Sequence, residues 1–301
     1  MRQSRMVVKK YDKMVRKTPL SGNKMMLAKE EWVRYQVKYN LKGRDEMLMI
    51  LSPAKTYKEE NVSYSRFSSE LPFHHKTKEL VTQLQSYSIE ELAQLMKMSQ
   101  ALGELNNQRF AQFYDDVEQA LLGIHAFEGE AYKGLDSLSL SEEALQLAQQ
   151  NLLILSGLYG VIHPFDWINP YRLEMATRLS NSAGKDLYAF WKGELTAYVM
   201  NQIGKSQGEK ILLNLASTEY SKVLDLKQIR QSFPVITIEF RERKGDTYKV
   251  IGMYAKRARG MMARHILQNH IKTLEEVRGF NEAGYLYNEM LSSDQTWVFT
   301  R

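Results

Sequence analysis

The sequence predicts an α/β protein: a single compact domain with a central mixed β-sheet flanked by helices and a basic cleft at the strand ends. Three observations predict it. Short apolar runs of strand length, MLMIL (47–51), LLILS (152–156) and ILLNLAS (211–217), lack polar alternation, as expected of strands buried on both faces. Stretches with apolar residues every three or four positions lie between them. Several strands also run into polar text, and in open α/β sheets ligands collect outside the carboxyl ends of strands.

Taken in order, residues 47–52 form the first strand, and 52–72 read as a polar loop. Helical spacing follows at about 75–86, 89–100 and 106–121, the last with Phe110, Phe113, Val117 and Leu121 in register. HAFEGEAYKGLD (125–136) reads as a short strand and turn. Ser139 with Glu142 fits a capping box opening the helix EEALQLAQQ. LLILS runs into GLYG, then a long loop holds His163-Pro164 and Asn169-Pro170. Residues 186–203 are amphipathic, with Leu187, Phe190, Trp191, Leu195, Tyr198 and Val199 on the core face. EYSKVL after ILLNLAS is helix-like. VITIEF (235–240) and TYKVIGMYA (247–255) read as paired strands around an RKGD turn. Helices are expected over about 257–271 and 273–278, and TWVFTR closes the chain as a strand.

The charge is unevenly placed. Residues 1–46 carry 13 Lys and Arg against 5 Asp and Glu, leaving 28 and 30 of the chain's 41 and 35 for the rest. The basic excess therefore belongs to the lead, and any anion site in the body must be local. Within the lead, Trp32, Val33, Tyr35, Gln36 and Tyr39 fit one side of a helix, which would suit a basic arm for DNA or anionic lipid. The preferred expectation is a gene-start artefact, with a disordered tail as the alternative. Lys42-Gly43-Arg44 can be encoded by a purine-rich, ribosome-binding-like stretch just upstream of Met47. The body, 47–301, forms the domain.

No run approaches the roughly 20 apolar residues of a membrane-spanning helix, and nothing near Met1 resembles a secretory signal. A cytoplasmic location is expected. The chain has no cysteine, which excludes disulfides, thiolate–metal sites and cysteine nucleophiles. Six histidines show neither HExxH nor facial-triad spacing, and GxSxG is absent. No metal site and no cofactor are expected.

Four polar strand-end segments are candidates for binding an anion. In Ser52-Pro53-Ala54-Lys55-Thr56, one lysine lies between two hydroxyls, although the phosphate-loop frame is missing. Arg172 and Glu174, in PYRLEM, suit a phosphate-binding guanidinium with a carboxylate that orients it or acts as base; they equally suit an internal ion pair. Asn214 and Ser217, with Glu219, could meet a base or ribose, or cap the following helix. Lys256, Arg257 and Arg259 crowd a predicted helix start, where free N–H groups and the helix dipole favour anions; Arg264 extends that patch. A solvated helix face is the plain alternative.

Together and in this order, MLMILSPAKT, LSGLYGVIHPFD, NPYRLEM, GKDLYAFW, NLASTEY and YAKRARGMMARHI resemble the YaaA-type peroxide-stress protein family. The resemblance covers about residues 47–301; residues 1–46 have no counterpart. It implies a bacterial α/β protein that protects against hydrogen peroxide by limiting free iron and iron-driven DNA damage, and that binds DNA, duplex or branched, through a basic cleft. By motif match it adds Tyr159 and Lys185 to Lys55, Arg172, Lys256, Arg257 and Arg259. It also implies a helix-hairpin-helix element, for which ELAQLMKMSQALGELNNQRFAQF is the candidate, with its turn at Leu102–Leu105 but no GxG. Two other readings stand beside DNA or nucleotide binding: an enzyme acting on a small phosphorylated or nucleobase-containing ligand, and direct iron sequestration. Nothing identifies a partner protein.

Overall fold

The structure, a computed structural model, describes residues 47–58, 71–114, 120–206 and 208–301. The expectation for residues 1–46, and most of the predicted polar loop, lie outside them. All described residues fall within one compact unit.

In chain order the first six strands are β1 Leu48–Leu51, β2 Thr56–Tyr57, β3 Leu121–Leu122, β4 Phe127–Glu128, β5 Leu152–Ser156 and β6 Gly160–Ile162. The rest are β7 Trp167–Ile168, β8 Leu212–Asn214, β9 Val235–Lys244, β10 Thr247–Lys249, β11 Leu286–Tyr287 and β12 Thr296–Thr300. The main sheet runs β11-β12-β9-β8-β1-β5-β6, with β10 added on β9. Its middle is parallel: Met49 of β1 sits beside Leu152 of β5 on one side and Leu213 of β8 on the other. The pairs β5–β6 and β11–β12 are antiparallel, so the sheet is mixed, as predicted. Every residue of β1, β5 and β8 is buried, which is why these runs show no polar alternation.

The strand order decides where a site can form. From β1 the chain crosses to β5 and β6, then returns past β1 to β8 and β9. The direction of winding reverses between β1 and β8, and the crevice outside their carboxyl ends is the switch point of the sheet.

The helices are α1 His74–Gln85, α2 Ile89–Leu95, α3 Gln100–Ala111, α4 Gly123–Ala126, α5 Glu130–Leu135 and α6 Glu142–Asn151. They continue with α7 Leu187–Gly204, α8 Thr218–Ser221, α9 Leu226–Arg230, α10 Gly252–Gln268 and α11 Leu274–Arg278. In α7 the predicted face is buried at Leu187, Phe190, Trp191, Leu195 and Val199. Trp191 also donates its indole N–H to the Gly157 carbonyl at 2.9 Å, pinning the turn after β5.

Five local readings are corrected. The helix expected over about 106–121 ends at Ala111 and Leu121 stands in β3, while Val117 lies outside the described residues. The helix α6 is capped by Ser141, which accepts from the Ala144 N–H; Ser139 instead bonds Asp136, whose left-handed backbone ends α5. Residues 125–136 are mostly the helices α4 and α5. The hairpin between α2 and α3 turns at 96–99, where Lys97 has φ 49°, while Gly103 lies inside α3 against Ile89 and Ala93. The chain after β10 is not strand: α10 begins at Gly252, so Lys256 is already a full turn inside the helix. The free N–H groups of that terminus are not beside KRARG, and the dipole argument for an anion there lapses.

One buried histidine makes the fold acid-sensitive. His125 in α4 sets Nδ1 2.8 Å from the Ser137 hydroxyl. Burial first, and the Lys58 charge second, push its pKa down to about 4. The unfolded chain therefore takes up this proton first as pH falls. The histidine costs no stability above about pH 6.5, and the loss grows from there down to about pH 4. At pH 5 it reaches up to about 2 kcal/mol, read as a fall in urea midpoint between pH 7 and 5. That fall should shrink in His125→Gln; an equal fall in both proteins would remove His125 as its cause.

Candidate functional site

The site is built at the ends of β1, β5 and β8. Ser52, the first residue past β1, accepts the Ser217 N–H at 2.9 Å and donates to its hydroxyl at 3.2 Å. This ties the exits of β1 and β8 together across the switch point. From the side, Tyr132 of α5 donates to the Ser52 carbonyl at 3.1 Å.

Past β5, the Ser156 hydroxyl accepts the N–H groups of Leu158 and Tyr159, which folds SGLYG into a tight turn. Gly157 in that turn lies against the next loop: a Cβ built there would stand 2.3 Å from the Leu173 carbonyl oxygen. Only glycine permits that approach, and the approach fixes PYRLEM. The Tyr171 hydroxyl lies 2.5 Å from that of Ser156, and Tyr57 donates to the Tyr171 carbonyl at 3.0 Å.

On this frame Lys55 and Arg172 converge. Lys55 Nζ is 2.7 Å from Glu174 Oε1, and Arg172 reaches the same oxygen with Nη2 at 2.9 Å and Nε at 3.1 Å. Two cations share the one Glu174 carboxylate, and Glu219 brings a second negative charge close by, at the Ala176 N–H. The Lys55 side chain is 58% exposed, against 17% for Arg172 and 25% for Glu174, so the lysine is the most accessible of the three. Glu219 takes a positioning role: its carboxylate accepts the Ala176 N–H at 3.3 Å, and its carbonyl accepts from the Tyr188 hydroxyl at 2.9 Å.

Of the tyrosines around this group, the family resemblance pointed to Tyr159 alone. Tyr57, Tyr132, Tyr159, Tyr171 and Tyr220 come from five separate segments. In each, burial above all pushes the phenol pKa up, so the hydroxyls stay neutral. Three of the rings pack together, Tyr57 and Tyr159 both against Tyr171, and give the cations beside them a low-dielectric surround. Tyrosines scattered over the chain carry no periodic signal; only the sheet topology gathers them.

The other predicted residues fall elsewhere or are engaged. Tyr159 brackets the loop, its hydroxyl accepting from Asn169 N–H at 2.9 Å, while its ring meets that of Tyr171 edge-on. Asn214 accepts the Ala216 N–H and donates to Thr237. Thr56 donates to the Glu128 carbonyl. Lys185 is exposed in the turn before α7. On α10, Lys256 and Arg257 are exposed, while Arg264 donates to the Leu135 and Asp136 carbonyls and so closes the end of α5. Arg259 is half-buried; desolvation lowers its pKa, Glu239 opposes this, and its Nε has no hydrogen-bond partner. This helix is linked to the crevice through α5, where Gly134 lies against the Arg257 carbonyl while Tyr132 reaches Ser52.

Among the described residues, no group of three or more His, Asp or Glu could hold a metal ion. No helix among them is long and apolar enough to cross a membrane.

Residues 47–291 match the family described as peroxide stress protein YaaA. The chain is similar to a UPF0246 protein of Legionella pneumophila (strain Corby), 43% identical over 258 residues, 85% of this chain and 99% of that protein. A second UPF0246 protein, from Magnetococcus marinus, is 45% identical over 257 residues, 85% and 99% of the two chains. A third, from Janthinobacterium sp. (strain Marseille), is 44% identical over 260 residues, 85% and 98%. With the family match spanning most of the chain and these relatives covered almost end to end, the chain belongs to the peroxide stress protein YaaA family.

Proposed function

We propose that this protein acts in the bacterial cytoplasm during peroxide stress by binding DNA, or a nucleotide-like anion, at the strand-end cations, thereby limiting iron-dependent DNA damage. One observation carries the reading. Lys55 and Arg172, from loops far apart in sequence, converge at the sheet's switch point on a single carboxylate that cannot neutralise both. An internal carboxylate held between two cations occupies the place a phosphate would take, since a guanidinium serves either oxyanion. Lys256 and Arg257, exposed on α10, would extend the contact along a phosphate backbone, with Arg259 beneath them.

An enzymatic reading draws less support. The chemistry would fall to Glu174 or Glu219, yet Glu174 is tied to two cations and Glu219 to a backbone N–H. Under that reading Glu174→Gln would keep ligand binding and abolish turnover.

Titration of duplex and branched DNA across a salt series tests the proposal, using the full chain and residues 47–301. Neutralisation of three or four phosphates gives a log–log slope of about −3. The slope should be the same in both proteins. No binding by 47–301 would reject the proposal, and binding that needs residues 1–46 would transfer the activity to the lead.

A further inference from the structure

A pocket lies between α3 and the loop that leads to Arg172, and its lining asks for a different chemistry. It is a partly open pocket of about 170 Å³ between α3, which supplies Leu105, Gln108 and Arg109, and the residues Gln112, Phe113, Asn169 and Pro170. An engineered apolar cavity of about 150 Å³ holds a benzene ring, so this one has room for a single flat ring system. Leu105, Phe113 and Pro170 give it apolar walls.

Its polar groups are not satisfied from within. Arg109 is half-buried, with its guanidinium 5.8 Å from the centre of the Tyr57 ring. Among the described residues it has no carboxylate partner. Burial lowers its pKa and the Tyr57 phenol opposes this. Asn169 spends its amide N–H₂ on the Phe113 carbonyl, while its Oδ1 is buried without a partner. An occupant that satisfies both must carry an acceptor edge for Arg109 and, on a small side-chain shift, an N–H for Asn169. It must also have faces that tolerate leucine, phenylalanine and proline. A nucleobase meets all three demands. Guanine meets them best, because O6 and N7 together suit a guanidinium while N1–H and the exocyclic amine are donors.

We infer that the Arg109–Asn169 cavity is a pocket for one unpaired nucleobase, guanine first among them, presented by a nucleic-acid strand. The inference rests on the DNA reading, and the fold supports the combination. Pro170 on the wall is two residues from Arg172, and Tyr57 links the two places, lying under Arg109 while bonding the Tyr171 carbonyl. Bases are read in this manner when splayed out of a stack, at bulges, branches and single-stranded ends.

The test uses the full chain and four probes. One is a DNA duplex with a single unpaired guanine. The others are the same duplex with an abasic residue at that position, the fully paired duplex, and free dGMP. The bulged guanine is expected to bind about tenfold tighter than the abasic duplex, the worth of one good base contact. Arg109→Gln should erase that difference and leave the fully paired duplex unchanged. Asn169→Ala should act alike, and a melting curve separates its effect from loss of the Phe113 bond. Equal affinity for guanine and abasic duplexes overturns the pocket while the DNA reading survives. Equal weakening of all three duplexes by Arg109→Gln also overturns it, because Arg109 would then be a general phosphate contact. If dGMP binds through Arg109 and no duplex binds, the nucleobase pocket stands, its ligand is a free nucleotide, and the DNA reading falls.

Discussion

Gly260→Ala is expected to destabilise the protein by about 3 kcal/mol or more, at the upper end of what overpacking costs. Two opposed effects make this informative. Within a helix, alanine is intrinsically better than glycine by up to about 1 kcal/mol, so propensity alone predicts a more stable protein. Packing predicts the reverse. A Cβ built on Gly260 would stand 1.7 Å from the Ala131 carbonyl oxygen and 2.8 Å from the Leu135 N. The contact is reciprocal, for a Cβ on Gly134 would stand 2.1 Å from the Arg257 carbonyl oxygen. The helices α5 and α10 thus touch backbone to backbone, and rigid main chain cannot yield as a side-chain tip would. Gly193 is the control. It lies exposed within α7 with nothing near its Cβ position, so Gly193→Ala should stabilise by about 0.5–1 kcal/mol. Urea unfolding of the two variants checks both signs, and a Gly260→Ala protein as stable as the parent would mean the helices are further apart than described. The helix contact bears on the crevice as well, because Tyr132 reaches Ser52 from α5.

What the sequence disclosed, and what it hid, follows from where information sits in a chain. The strands β1, β5 and β8 were legible because a central parallel strand must be apolar on both faces, and Leu, Ile and Met in unbroken runs say so. The core face of α7 was legible from its spacing. The start of α10 was not: Val250, Ile251, Met253 and Tyr254 are exposed there, so apolar, β-favouring residues stood where no core lay and read as strand. The α2–α3 turn was misplaced for a related reason. Gly103 suggested a break, yet it is glycine to let two helices meet, while the real turn uses Lys97 in a left-handed conformation. Of the site, Ser52, Lys55, Arg172, Glu174 and Ser217 were legible as polar residues following strand ends. Their mutual contacts were not, because the order β8-β1-β5 is a property of the sheet and of no local segment. Arg109 and Asn169 escaped notice for the same reason.

Glu174→Gln is expected to raise affinity for DNA about threefold to tenfold at low salt and to steepen the salt slope by about 1, the signature of one more phosphate contact. The carboxylate is the internal rival of any incoming anion, since both Lys55 and Arg172 spend their charge on its Oε1. Glutamine keeps the shape and removes the charge, so the cations remain in place and become available. Stability should hardly change, because partly exposed pairs of this kind contribute about 0–1 kcal/mol. Arg172→Ala should act in the opposite direction, lowering affinity about tenfold and flattening the slope by about 1. In Lys55→Ala/Arg172→Ala the loss should approach about a hundredfold, with Glu174 left as an unopposed negative charge. Adding Glu174→Gln to that double variant should recover only the repulsive part, which separates competition by the carboxylate from simple loss of positive charge. Fluorescence anisotropy across a salt series measures the four variants beside the parent. Weaker binding by Glu174→Gln than by the parent would show that the carboxylate orients Arg172 for its ligand, and the picture of an internal anion awaiting displacement would have to be given up.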